Sequence, residues 1–190
     1  MIRHHATGSN AMKDLFYGKF PLEQATSLLK FQKRGITQEL IHNLKYRGQK
    51  EISSFFGAWL GHELSEIEAY KGVDLVIPVP LHRKKQHKRG YNQVEGFGKN
   101  IAQALQIPYR DDILLKVSST SSQVFKQRFL RFQSQSHGEA FSIRNTDAIY
   151  NKHILLVDDI VTTGATLENC AHQLLKNSDA KLSVATIAIA

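Results

Sequence analysis

A chain of 190 residues, 42% hydrophobic and 22% charged, has the size and composition of one folded domain with a real core, so disorder is not the default reading. No run approaches the roughly 18 apolar residues of a membrane-spanning helix, and a single cysteine, Cys170, excludes a disulfide or a multi-cysteine zinc site within the chain. The formal net charge of +8 favours an anionic partner, a polyphosphate or a nucleic acid.

Residues 1–20 show no sustained period and are expected to form an irregular lead-in. Met1 to Asn10 have no apolar run, so no secretory signal is expected there, and the lone thiol suits a reducing cytoplasm. From Pro21 to about residue 70 the spacing reads as helical. Ile36, Leu40, Ile41 and Leu44 share one face and Tyr46-Arg47-Gly48 breaks it. Ile52, Phe55, Phe56, Trp59 and Leu60 then repeat at i, i+3, i+4, i+7, i+8. With no linker rich in Pro, Gly or Ser, residues 21–190 are expected to form one domain: a helical part at 21–70 and an α/β core at 71–190.

Val73 to Val79 is short, apolar and β-branched, a buried strand stopped by Pro78 and Pro80. After a basic loop, Val94, Phe97, Ile101, Ala102 and Leu105 mark a helix, and Ile113 to Val117 a second strand. The segment at about 118–141 is rich in Ser and Gln. Its Phe125, Phe129 and Phe132 fall at helical spacing and read first as a core-facing stripe. His153 to Val157 is a third buried strand, Thr166 to Lys176 a helix and Leu182 to Ile189 a last strand. Cys170 lies on the apolar face of that helix with Leu167, Ala171 and Leu174, the position of a small buried hydrophobe. Strands alternating with helices predict a mostly parallel sheet covered on both faces.

Two segments carry chemistry. In the first, the strand His153 to Val157 is followed by Asp158, Asp159 and the small-residue loop Thr162-Thr163-Gly164-Ala165-Thr166 at a helix start. Successive N–H groups, hydroxyls and the helix dipole suit the loop to a phosphate. The carboxylates can accept hydrogen bonds from sugar hydroxyls, so together the two describe a ribose 5-phosphate site. The second segment is Pro78-Val79-Pro80-Leu81-His82-Arg83-Lys84-Lys85-Gln86-His87-Lys88-Arg89-Gly90-Tyr91-Asn92-Gln93. It reads as a solvated basic loop or as a contact for a nucleic-acid backbone.

The apolar strand, acid pair and Thr-Gly loop resemble those of the type I phosphoribosyltransferases. The wording Pro-Val-Pro-Leu-His, Lys-Arg-Gly-Tyr-Asn-Gln and Leu44-Lys45-Tyr46-Arg47-Gly48 further resembles the ComF (GntX-like) family of competence-associated homologues, from about Pro21 onward. The resemblance implies a type I phosphoribosyltransferase fold with a flexible hood at about 118–141, in which Gln123 and Arg131 are retained. It implies that Thr162 to Thr166 hold the 5-phosphate of 5-phosphoribosyl-1-pyrophosphate and that Asp158 and Asp159 approach its ribose. His82, Arg83, Lys84 and Lys85 would receive pyrophosphate, and Mg²⁺ would be held through the ligand rather than directly by the protein.

Family members are linked to DNA uptake. Many begin with a four-cysteine zinc module, which the single Cys170 does not provide, and Ser134 and His137 stand around a position where relatives carry Asn. Hypoxanthine-guanine relatives have Asp three residues after the second acid. Here that residue is Thr162, which is no base near neutral pH, so that purine reaction is not expected. His82, His87 and His137 are the other titratable loop groups.

Two functions follow as expectations. One is a cytoplasmic, Mg²⁺-dependent transfer of phosphoribosyl to an unidentified acceptor under a closing lid. The other is a non-catalytic module for single-stranded DNA, in which Lys88, Arg89, Lys126, Arg128 and Arg131 serve as DNA or lid contacts beside the phenylalanines.

Overall fold

The computed structural model describes residues 11–82, 86–87, 89–117, 140–176 and 178–190. Four strands form a fully parallel sheet: β1 (Ala25–Lys30), β2 (Leu75–Pro78), β5 (His153–Val161) and β6 (Lys181–Ile189), in the order β1-β6-β5-β2. Two short strands, β3 (Leu114–Lys116) and β4 (Phe141–Ile143), pair antiparallel beside it. The helices are α1 (Ala11–Phe16), α2 (Ile36–Tyr46), α3 (Lys50–Ser65), α4 (Glu95–Leu105) and α5 (Ala165–Leu175).

The sheet separates two cores. Ile154 and Leu156 of β5 face a cluster with Met12 and Phe16 of α1, Leu167 and Leu174 of α5, and Leu114 and Phe141 of the hairpin. Leu155 and Val157 face the other way, against Ile41 and Leu44 of α2, Phe56 and Leu60 of α3 and Phe97 and Ile101 of α4. Burial on both faces explains why β5 reads as an unbroken apolar run rather than an alternating one. The α/β class expected from the sequence, a mostly parallel sheet flanked by helices, is the class observed.

Three expectations are corrected. The part at 21–70 is not wholly helical, because Ala25 to Lys30 form β1, an edge of the sheet paired in register with Val184 to Ile189. Residues 1–20 are not all irregular, because Ala11 to Phe16 form α1, with Met12 and Phe16 buried against the sheet. The segment at about 118–141 overruns its far boundary, because Phe141 already belongs to β4. Residues 118–139 lie outside the described residues, and Gln123, Phe125, Lys126, Arg128, Phe129, Arg131, Phe132, Ser134 and His137 with them.

The face of α3 also differs from the periodic reading. Phe55 is 62% exposed, while Gly57 and Gly61 are buried with Phe56, Leu60 and Leu64. Glycines let α3 approach α4 closely, and the apolar periodicity turns accordingly. A buried hydroxyl fixes this contact: Ser53 Oγ donates to the Gln93 carbonyl at 2.7 Å and accepts the Phe97 N–H at 2.9 Å. Among the described residues no helix is long and apolar enough to cross a membrane.

Candidate functional site

The acid pair does not follow β5; it lies within it. The strand runs on to Val161, with Asp158 opposite Thr186 and Val161 opposite Ile189. Strand alternation therefore sends the two carboxylates to opposite faces. Asp158 belongs to the face shared with Cys170, whose thiol its charge raises, and with Lys116, whose charge pulls the Asp158 carboxyl down. Asp159 belongs to the α2 face, where its Oδ2 is 2.9 Å from Lys45 Nζ.

Both acids are buried. Burial and the adjacent Asp159 charge push the Asp158 carboxyl up to about 8, against the opposing pull of the Asp159 N–H, Lys45 and Lys116. The Asp159 N–H donates to Asp158 Oδ1 at 2.8 Å, which fixes that carboxyl against its own backbone. Asp159 Oδ2 is buried and, beyond the Lys45 ammonium at 2.9 Å, meets no donor among the described residues, leaving a lone pair for an O–H donor. Burial likewise raises the Cys170 thiol well above its ordinary range, so this fully buried side chain acts as a small hydrophobe, as its place on α5 predicts.

Beyond Val161 the chain makes the small-residue loop. Gly164 precedes α5 with φ +80°, a left-handed conformation that suits glycine. Thr162, Thr163, Ala165 and Thr166 around it are exposed. Asp158 and residues 160–167 together line a hollow of about 40 Å³. The N–H groups of the first turn of α5, of which that of Ala165 reaches Thr163 Oγ1 only at 3.4 Å, and the helix dipole make this hollow favourable to an anion.

The loop is shaped from below. A Cβ on Gly164 would stand 2.7 Å from Phe16 Cε1, and Lys19 Nζ donates to the Thr163 carbonyl at 3.1 Å. The segment before Pro21 thus forms the floor of the loop. Sequence reading missed this because six helical residues are too few for a periodic signal.

The basic loop is described in part. Arg83, Lys84, Lys85 and Lys88 lie outside the described residues. His82, with Pro78, Pro80, Asn92, Glu95, Asp111 and Lys116, lines a separate hollow of about 460 Å³ at the ends of β2 and β3. Arg89 does not reach the acid pair: its guanidinium lies 5.2 Å from the Tyr46 ring centre, and its Nη1 donates to Gln93 Oε1 at 2.9 Å. His87 is exposed.

Lys45 is the site residue that motif reading did not single out. It was visible only as one letter of Leu44-Lys45-Tyr46-Arg47-Gly48. Its charge reaches Asp159 because α2 ends against β5, a contact no local pattern displays.

A family model described as phosphoribosyl transferase domain matches residues 95–190. The DNA utilization protein YhgH of Shigella flexneri is 28% identical over 148 residues, covering 76% of this chain and 63% of that protein. Competence protein ComFC of Bacillus subtilis is 29% identical over 143 residues, covering 75% and 55%. Competence protein F of Haemophilus influenzae is 31% identical over 103 residues, covering 54% and 44%. The chain thus spans less than two thirds of the length of these curated relatives.

Proposed function

Because this chain belongs to the phosphoribosyl transferase domain family, in its ComF-like branch, we propose that it binds 5-phosphoribosyl-1-pyrophosphate with Mg²⁺ in the cytoplasm and transfers phosphoribosyl to an acceptor still to be identified. The observation that carries this reading is the continuity of β5 with the loop. One strand presents two buried carboxylates, and its extension presents an anion hollow headed by a helix N-terminus.

In this reading the 5-phosphate sits on Thr162 to Thr166. The ribose hydroxyls lie over the end of β5, where they donate to Asp158 beside the hollow on one face and to Asp159 beside Lys45 on the other. No group of three or more His, Cys, Asp or Glu side chains among the described residues could hold a metal ion, and Asp159 is turned toward Lys45. In this reading Mg²⁺ would be carried by ligand oxygens and water, and would supply charge neutralisation to the leaving group.

Transfer forms a bond from the acceptor to ribose C1 as the bond from C1 to pyrophosphate breaks. The protein contributes by fixing the sugar and stabilising the departing anion, for which His82, Arg83, Lys84 and Lys85 are the proposed donors.

Thermal unfolding with Mg²⁺ and 5-phosphoribosyl-1-pyrophosphate tests the binding claim. Ligand at about 100 times its Kd adds roughly 2.7 kcal/mol, a rise of about 5–10 °C in Tm for a chain of this size. The rise is expected in the wild type and absent in Asp158→Asn/Asp159→Asn. A folded wild type with no rise sinks the claim.

A second reading, binding of single-stranded DNA, is favoured by the relatives' names and by one surface. Tyr46 is 68% exposed, tilted against His42 at 5.1 Å between ring centres and flanked by Arg89, a combination that suits a nucleotide base. Lys88, Lys126, Arg128 and Arg131, which lie outside the described residues, are the other proposed DNA contacts. Affinity for an oligonucleotide should then fall steeply between about 50 and 200 mM salt, and a flat response speaks against it.

A further inference from the structure

We infer that Lys45 is a positioning residue of the sugar site, holding the Asp159 carboxylate in the orientation that receives the ribose hydroxyls. This rests on the sugar-phosphate reading above and deepens it.

The geometry is specific. Lys45 stands in the last turn of α2, with its side chain 22% exposed and its ammonium 2.9 Å from Asp159 Oδ2. Leu44 beside it is fully buried, which anchors the backbone. The Leu44 carbonyl accepts the Tyr91 hydroxyl, so the end of α2 is tied to the residue that closes the basic loop. Lys50 lies 4.8 Å from the Tyr91 ring and Arg89 5.2 Å from the Tyr46 ring, which brace the same corner.

A buried carboxylate left without its cation would turn toward another partner, which costs an acceptor for the sugar. Asp158 is oriented differently, by the backbone N–H of Asp159. The two acids therefore have independent supports: one from the strand itself, the other from a helix distant in sequence. The phosphate loop has a third, from Phe16 and Lys19. This separation yields a selective test, because loss of Lys45 should affect sugar recognition and spare phosphate recognition.

The experiment measures Kd for ribose 5-phosphate and for inorganic phosphate by calorimetry, on wild type, Lys45→Met and Lys45→Arg. Lys45→Met is expected to weaken ribose 5-phosphate at least about tenfold, with phosphate changed less than about twofold. Lys45→Arg, which restores the cation, should return ribose 5-phosphate to within about threefold of wild type.

Equal affinity for ribose 5-phosphate in wild type and Lys45→Met overturns the inference and leaves the sugar-phosphate reading standing. An equal loss of both ligands in Lys45→Met also overturns it, because that is what a general structural role would give. A wild type that binds phosphate but shows no preference for ribose 5-phosphate overturns the sugar-phosphate reading, and the Lys45 inference falls with it. If Lys45→Met does not fold, Lys45→Gln is judged by the same ratios.

Discussion

Phe16 occupies the space that a side chain on Gly164 would need, its Cε1 lying 2.7 Å from the Cβ position. The ring is 1% exposed and packed in the core, so it cannot swing aside cheaply. Gly164→Ala therefore meets a clash and also a φ of +80° that alanine resists. A loss of about 1–3 kcal/mol is expected, read as a lower urea midpoint with unchanged slope. In a Phe16→Ala background the steric part should disappear and the penalty should shrink. An equal penalty in both backgrounds would show that Phe16 does not support the loop.

Asp158 makes stability depend on pH in a calculable direction. Its folded-state carboxyl titrates near 8 and the unfolded one near the usual carboxylate value of about 4, so between these the folded state binds the extra proton. Stability from this group is complete below about pH 4 and declines as pH rises through 8, by at most about 1.4 kcal/mol per pH unit. Asp158→Asn mimics the protonated form, so its unfolding free energy should fall less than that of wild type between pH 5 and 8. Parallel curves for the two proteins would contradict the raised carboxyl.

Gly57 lies where α3 presses on α4. A Cβ there would meet the Phe97 carbonyl oxygen at 2.5 Å and its Cα at 2.7 Å, both backbone atoms that cannot yield alone. Gly57→Ala should push the helices apart and lower stability by about 1–3 kcal/mol, despite the better helix propensity of alanine. A variant as stable as wild type in urea would show that the helices part without cost.

Tyr91→Phe removes the donor to the Leu44 carbonyl while keeping the ring. Leaving that carbonyl without its partner should cost about 1–3 kcal/mol in chemical denaturation. An unchanged midpoint would mean that the corner is held by packing alone.

The central strand and the loop were legible because their signals are local: an apolar run, two acids and a turn sequence leading into a helix. Strand β1 was not, because Thr26 and Ser27 interrupt its apolar character although both are fully buried. A short hydroxyl can be buried where a backbone partner is close, and Ser27 Oγ donates to the Leu29 carbonyl at 3.3 Å. The face of α3 was misjudged because hydrophobic periodicity gives no weight to Gly57 and Gly61, the residues that govern its packing. Lys45 and Phe16 escaped for a different reason: each acts on a segment far along the chain, and only the packing of α2 and α1 against the sheet brings them there.

The strand order β1-β6-β5-β2 also dictates when the fold can close during synthesis. β1 emerges early, yet its partner in the sheet is β6, formed by Lys181 to Ile189. β6 also flanks the strand that carries both acids, and the Ala190 N–H donates to the Val161 carbonyl at 2.9 Å, immediately before the Thr-rich loop. A nascent chain that has exposed everything through α5 therefore still holds β1 without its partner and β5 open along one edge. Only when the segment after α5 leaves the ribosome can it slide between them and set the sheet and the anion hollow together.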